Sequence, residues 1–145
     1  MGLFDKVKGI SSTNLTPAEG FTGIALCAVA ADGVITPEEV QGLSTSLGRT
    51  RIFQQLGPRQ VKASFEKVHR VAREQGTEAL LKLCSEAIPR ELRPTAFAIA
   101  VDLVFADGEV TGSEQKYVVH IQNTLGVDAP TAEKIVDVMA IKNKA

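Results

Sequence analysis

The sequence predicts an all-α fold: a compact single-domain bundle of about seven helices built around two repeated helix–turn–helix units. Three observations predict it. Apolar residues recur at helical spacing along most of the chain, and no stretch keeps a period-two alternation. Gly and Pro mark the boundaries between those segments. The pattern of residues 24–39 also returns 75 positions later, in residues 99–114. With 145 residues, of which 44% are apolar, one core can be buried without disulfide or metal staples.

Residues 1–15 read as an amphipathic leader. In "MGLFDKVKGI", Leu3, Phe4, Val7 and Ile10 share one side and lysines the other. So short a segment (residues 1–10) offers a lipid surface only weak contact, and packing on the domain or fraying is the plainer expectation. The helical domain is read as residues 16–145. "TPAE" opens its first helix, with Thr16 as N-cap, Pro17 at the first position and Glu19 at the third. That helix, "GFTGIALCAVAAD", is apolar on nearly every side and is expected to be central.

"TPEE" opens the second helix, where Val40, Leu43 and Leu47 form one face and Gly48 is placed to stop it. Val61, Phe65, Val68 and Ala72 then line a long helix after the Gly57-Pro58 break. Leu80, Leu81, Cys84, Ala87 and Ile88 line the next. Pro89 and Pro94 bracket a turn before "TAFAIAVDLVFAD", a second nearly all-apolar helix. Another starts at Thr111 and buries Val118, Ile121 and Leu125. Asp128 caps the last, with Ala132, Ile135, Val136 and Met139 inward.

The internal echo matches Ile24 with Ile99, Ala25 with Ala100, Val29 with Val104 and Ala31 with Ala106. It continues through Asp32 and Asp107, Gly33 and Gly108, Thr36 and Thr111, and Glu39 and Glu114. Eight identities in sixteen ungapped positions exceed what shared helical composition readily gives. A duplicated unit can pair about a local twofold, which would make the two turns neighbours.

Much of that turn is explained without a ligand. Gly33 and Gly108 suit the left-handed position just past a helix, and each T-x-x-E lets the Glu reach back to its cap. Asp32 and Asp107 are different, because a carboxylate in the last turn opposes the helix dipole by about 0.3–1 kcal/mol. A local Asx-type bond or a bound cation would offset this. Asp102 sits one turn earlier in an apolar helix and needs a hydrogen-bond donor, a basic partner or a metal.

The turns can be compared with a calcium loop of the EF-hand pattern. With Gly33 as the sixth position, Asp32 is fifth, Ile35 eighth and Glu39 twelfth, and Asp107, Val110 and Glu114 repeat this around Gly108. The first and third positions hold Ala28 and Ala30, then Leu103 and Phe105. Neither loop alone supplies the ~6–8 oxygens that calcium takes. Two readings therefore stay open: caps and turns alone, or two half-sites pooling Asp32, Glu39, Asp107 and Glu114.

Other chemistry finds little footing. A formal net charge of −1 gives no general attraction to nucleic acid. Cys27 and Cys84 belong to no metal-spacing motif and read as reduced, buried thiols. His69 and His120 lack partners at ligand spacing, and there is no nucleophile elbow or phosphate loop. No apolar run reaches the ~18 residues of a membrane span, and no signal peptide is evident, so a cytoplasmic location is expected. Arg59, Lys62, Lys67, Arg70 and Arg73 make one helix basic, with Arg49 and Arg51 nearby. They form either a solvated face or a surface for an acidic or phosphate-bearing partner.

Three stretches carry a family resemblance: "FTGIALCAVAADGVITPEEVQGL", "IPRELRPTAFAIAVDLVFADGEVTGSEQKYV" and "DVMAIKNKA". From about residue 16 to the end, the chain resembles the tellurite-resistance TerB-like family. The resemblance implies an all-helical domain whose repeats gather acidic residues to hold a metal ion. It also implies association with tellurite and stress-response systems that include calcium-binding and membrane partners. On the matching positions the candidate ligands are Asp32, Glu39, Asp107 and Glu114. Asp102 is added from its setting, and Cys27 at the corresponding position breaks the symmetry.

The expected function is a non-enzymatic interaction module in which calcium, magnesium, manganese or zinc orders the two turns and couples to protein partners. The alternative is a metal-free structural adaptor or dimerisation domain, resembling helical domains attached to co-chaperones and pairing with a second copy.

Overall fold

The structure, a computed structural model, describes residues 14–30, 35–106 and 108–145. Residues 1–13 of the leader, and Asp32, Gly33 and Asp107 of the repeated turns, lie outside the described residues. Eight α-helices follow in order among the described residues: α1 (Pro17–Val29), α2 (Pro37–Gly48), α3 (Arg51–Gln54), α4 (Pro58–Gln75), α5 (Thr77–Ala87), α6 (Arg93–Phe105), α7 (Gly112–Leu125) and α8 (Ala129–Lys142). A 3-10 turn, Arg90–Leu92, leads into α6, and the described residues contain no strand. The helix beyond the expected seven is α3. It is one turn long, capped by Thr50, and it buries Phe53.

Helix α1 is the hub. Every residue from Gly20 to Cys27 is buried, and α4, α5 and α6 all pack on it. A helix apolar all round is stable only when so enclosed. The buried Thr22 fits because its hydroxyl donates to the Ala18 carbonyl at 2.9 Å. Its start is fastened by a full capping box: Glu19 N–H donates to Thr16 Oγ1 at 3.1 Å, and Thr16 N–H donates to Glu19 Oε1 at 2.8 Å. Lys67 of α4 reaches across to Glu19 at 3.2 Å and to the Asn14 carbonyl at 2.7 Å, tying the chain's entry to α4.

Two glycines set how near α5 comes to α1. A Cβ on Gly23 would stand 2.1 Å from Cys84 Sγ, and one on Gly20 would stand 2.9 Å from Ile88 Cγ1 and 3.1 Å from the Cys84 carbonyl oxygen. Three residues apart, they lie on one face. That face is flat enough for α5 to seat its Cys84 and Ile88 against bare backbone.

Most of the expected core is in place. Leu43, Leu47, Val68, Leu80, Leu81, Cys84, Val118, Ile121, Leu125 and Ala132 are buried. Val40 is not; it stays 37% exposed. Val61 and Phe65, expected on the core face of α4, are only partly covered. Helix α2 rests on α1, α3 and α6, whereas α4 rests on α1 and α5. The two diverge and leave a groove where the sequence pattern implied contact. Gly48 likewise does not stop α2 through a left-handed residue: Arg49 stays right-handed and Thr50 immediately caps α3.

The close approach of α5 yields a paired prediction. Gly23→Ala should destabilise the fold by roughly 1–3 kcal/mol through overpacking, despite alanine's better helix propensity. Cys84→Ala in the same chain should recover part of that loss. Gly42→Ala on α2, where a Cβ meets nothing within 4 Å, should stabilise by about 0.4–1 kcal/mol. Urea denaturation of the four proteins measures all three.

Candidate functional site

The repeated turns feed two helix starts built alike. At α2, Glu39 N–H donates to Thr36 Oγ1 at 3.2 Å and Thr36 N–H donates to Glu39 Oε1 at 2.9 Å. At α7 the corresponding bonds run from Glu114 to Thr111 at 3.1 Å and from Thr111 to Glu114 Oε1 at 2.8 Å. Both acids therefore cap, as their spacing predicts. Each does so through Oε1 alone, and its second carboxylate oxygen makes no hydrogen bond among the described residues. Capping and ligation are thus compatible roles for one side chain. Gly108 takes the expected left-handed backbone, φ 94.

Helices α1 and α6, the first helices of the two sequence-related units, pack directly on each other. Helix α6 also touches α2, and α1 touches α7, so each unit's first helix meets the other's second. Near the end of α1 this creates a recess of about 160 Å³, bordered by Ala28, Val29, Val104, Ser113, Glu114 and Tyr117. Glu114 is brought to this recess; Glu39 is not among its lining residues. Among the described residues no three of His, Cys, Asp and Glu come together as a metal cluster. Asp32 and Asp107 lie outside that search.

Tyr117 is the functional candidate the sequence reading passed over. It is the chain's only tyrosine. Its hydroxyl is buried, has no hydrogen-bond partner of standard geometry among the described residues, and lies against the Cys27 thiol. Burial, then the nearby Cys27, hold it protonated far above the ordinary tyrosine range. Buried hydroxyls normally find a partner. Its position three residues after Glu114, on the same helical face, was the available signal. One turn on, the His120 ring sits 6.0 Å from the Tyr117 ring and engages the Glu78 carboxylate through Nε2 at 2.8 and 2.9 Å, linking α7 to α5.

Asp102 has found both kinds of protein partner its setting demanded. Its Oδ1 accepts from Asn143 Nδ2 at 2.8 Å and from Lys142 Nζ at 3.1 Å, at the end of α8. The side chain is 24% exposed, less enclosed than the apolar helix around it suggested. The corresponding Cys27 is fully buried, and its thiol lies 3.8 Å from the Thr77 carbonyl. Asp102 thus secures α8 to α6, whereas Cys27 fills core space between α1 and its neighbours.

Cys27 and Cys84 are both free and buried. Burial pushes the Cys27 thiol up from 9.0 to about 12, and raises that of Cys84 as well, with Cys27 as its second cause. A protonated, enclosed thiol is a weak nucleophile. Both should resist a thiol reagent at pH 8 in the native state and react fully in urea. Above pH 9.0 the unfolded chain releases the Cys27 proton, while the folded thiol keeps it to about 12. Stability should hold below pH 9 and decline through that window, as urea midpoints across the range would show. A Cys27→Ala variant should flatten part of the decline.

Among the described residues, no helix is long and apolar enough to cross a membrane. Comparison with curated proteins and with solved structures returns no match. A family model described as tellurite resistance protein TerB matches residues 21–136, from the middle of α1 into α8. That span takes in both sequence-related units and the packing between them, and the chain belongs to the TerB family.

Proposed function

We propose that this chain is a non-enzymatic interaction module of a tellurite-resistance and stress-response system, with an acidic divalent-metal site formed from its two repeated turns. The residues that would hold the ion are Asp32, Glu39, Asp107 and Glu114. The observation that carries this reading is the unused carboxylate oxygen on each capping glutamate. Thr36 and Thr111 orient Glu39 and Glu114 while leaving one oxygen of each available. The recess beside Glu114, which Tyr117 also borders, supports the same reading. A donor set made of oxygens suits hard cations such as calcium, magnesium or manganese better than zinc. When bound, a divalent ion supplies the positive charge that lets four carboxylates share one region.

The chain's own part is positional. The two capping boxes fix the directions of Glu39 and Glu114, and the α1–α6 packing carries the two units as one body. Ordering the turns at that junction would alter the surface offered to a protein partner, which couples occupancy to binding. Asp102, held by Lys142 and Asn143, acts here as the anchor of α8. Direct reduction of tellurite by the thiols is disfavoured by their burial and raised proton affinity.

A metal-free adaptor or dimerisation domain in the cytoplasm is the second reading. It is favoured by the apolar side chains left outward on α7 and α8: Val119, Val138 and Ile141, at 52%, 57% and 69% exposure. Light scattering with and without chelator separates the two, since the adaptor associates equally in both.

Glutamine still serves a capping box, so Glu39→Gln/Glu114→Gln removes charge while preserving the helix starts. Calorimetric titration with calcium, magnesium, manganese and zinc should show binding to the native chain. Affinity should be weaker by about tenfold or more in this variant and in Asp32→Asn/Asp107→Asn, a loss of roughly 1.4 kcal/mol. The ion-free melting temperature of the glutamine variant should barely move. Silence with every ion, or unchanged affinity in both variants, would discard the metal site.

A further inference from the structure

An apolar groove lies open between α2 and α4 among the described residues. It consists of two adjoining recesses of about 460 and 230 Å³ that share Val40 and Phe65. Leu56 and Val61 extend the floor at one end, and Leu26 and Ile35 at the other. Val40 and Phe65 stand at helical core spacings yet remain accessible; both helices pack on α1, α2 also on α3 and α6, and α4 also on α5. The lining runs along α4 from Pro58 to His69. That is about 16 Å, or three turns of a helix.

A stripe of cations borders this groove. Arg59, Lys62, Arg70 and Arg73 recur at three-, eight- and three-residue intervals on the exposed side of α4; Lys62 also lines one recess of the groove, and Glu66 lines both. None of the four enters an ion pair among the described residues. Glu66, the one acid in the stripe, enters none either. The fifth cation of α4, Lys67, points to the other side and is taken by Glu19. Helix α4 therefore carries five Lys and Arg against two Glu, in a chain whose formal net charge is −1.

We propose that this groove is the docking site for an acidic amphipathic helix of a protein partner. This rests on the reading of the chain as an interaction module and is independent of the metal. An apolar face with anchors at i, i+3 or i+4 and i+7 fits the Leu56–Val61–Phe65–Val40 floor. Carboxylates along the flank toward α4 meet the unpaired Arg59, Lys62, Arg70 and Arg73. Charge complementarity selects this occupant over a basic helix, which the same stripe repels. Concavity selects it over a bilayer, because a flat lipid surface meeting the cations would leave the floor between the helices empty.

Selection from a library of peptides about three helical turns long tests this on the full chain. Apolar anchors are fixed and the other positions are drawn from Glu, Gln, Lys and Ala. Enriched peptides should carry Glu along one flank and lose affinity with added salt. They should bind Arg59→Glu/Arg70→Glu/Arg73→Glu about tenfold more weakly, as three exposed charge pairs imply. A Lys-for-Glu version of the best peptide should recover binding to that variant. Val40→Lys, at an exposed position, should abolish binding while leaving the melting temperature intact.

A pool without acidic bias, or no enrichment at all, overturns the proposal. So does preferred binding to phosphatidylserine vesicles that Val40→Lys leaves unchanged. Peptides that enrich but ignore both groove variants also overturn it, while leaving the interaction-module reading standing on another surface.

Discussion

The close approach of α5 to α1 is the contact on which the arrangement depends. Gly20 and Gly23 remove two side chains from the middle of a fully enclosed helix, and Cys84 and Ile88 occupy the space. Close-packed interiors tolerate neither a void nor an extra methyl at such a point. With α5 seated there, α4 and α6 take the remaining sides of α1, and the other helices follow. Both cysteines belong to this packing, with Cys84 over Gly23 and Cys27 one turn farther along α1. Their chemistry is therefore subordinate to their volume. A thiol that must fill a gap between helices is also a thiol kept dry and protonated.

The two sequence-related units use the same local device for different tertiary ends. Each begins its second helix with a Thr cap and a Glu that returns one oxygen to the cap. In the first unit, the residue five positions before the Asp-Gly is Cys27, which is wholly inside. In the second it is Asp102, which reaches Lys142 and Asn143. The difference follows from what each helix faces: α1 is surrounded, whereas α6 lends one side to the polar end of α8. A carboxylate on α1 at that point would be fully enclosed, at a large desolvation cost.

Two openings in the surface mark places where packing is incomplete. The recess near Glu114 exists where the end of α1, the body of α6 and the start of α7 converge without filling the space. Tyr117 borders it, with its hydroxyl turned into the core against the Cys27 thiol. The α2–α4 groove lies where those helices share α1 but otherwise pack on different helices, with Val40 and Phe65 beside cations that form no ion pair among the described residues. The first is a largely apolar recess with one carboxylate, Glu114; the second is apolar with a basic edge.

Periodicity and capping residues determined the helices. The Thr-Pro starts, the Asp128 cap, the enclosed α1 and the core positions Leu43, Leu47, Ile121 and Leu125 could all be read from short-range pattern, because they depend on spacing within one segment. The capping by Glu39 and Glu114 was plain from their spacing; which of their oxygens the cap would use was not. Tertiary structure alone decided which apolar faces found a neighbour. Val40 has the same spacing signature as Leu43 and Leu47, yet it borders the open groove toward α4 instead of a packed neighbour. The Asp102–Lys142 and Lys67–Glu19 pairs, and the seat of Cys84 on Gly23, join residues about 40 to 60 positions apart. No local pattern encodes such meetings, since they depend on where whole helices come to rest.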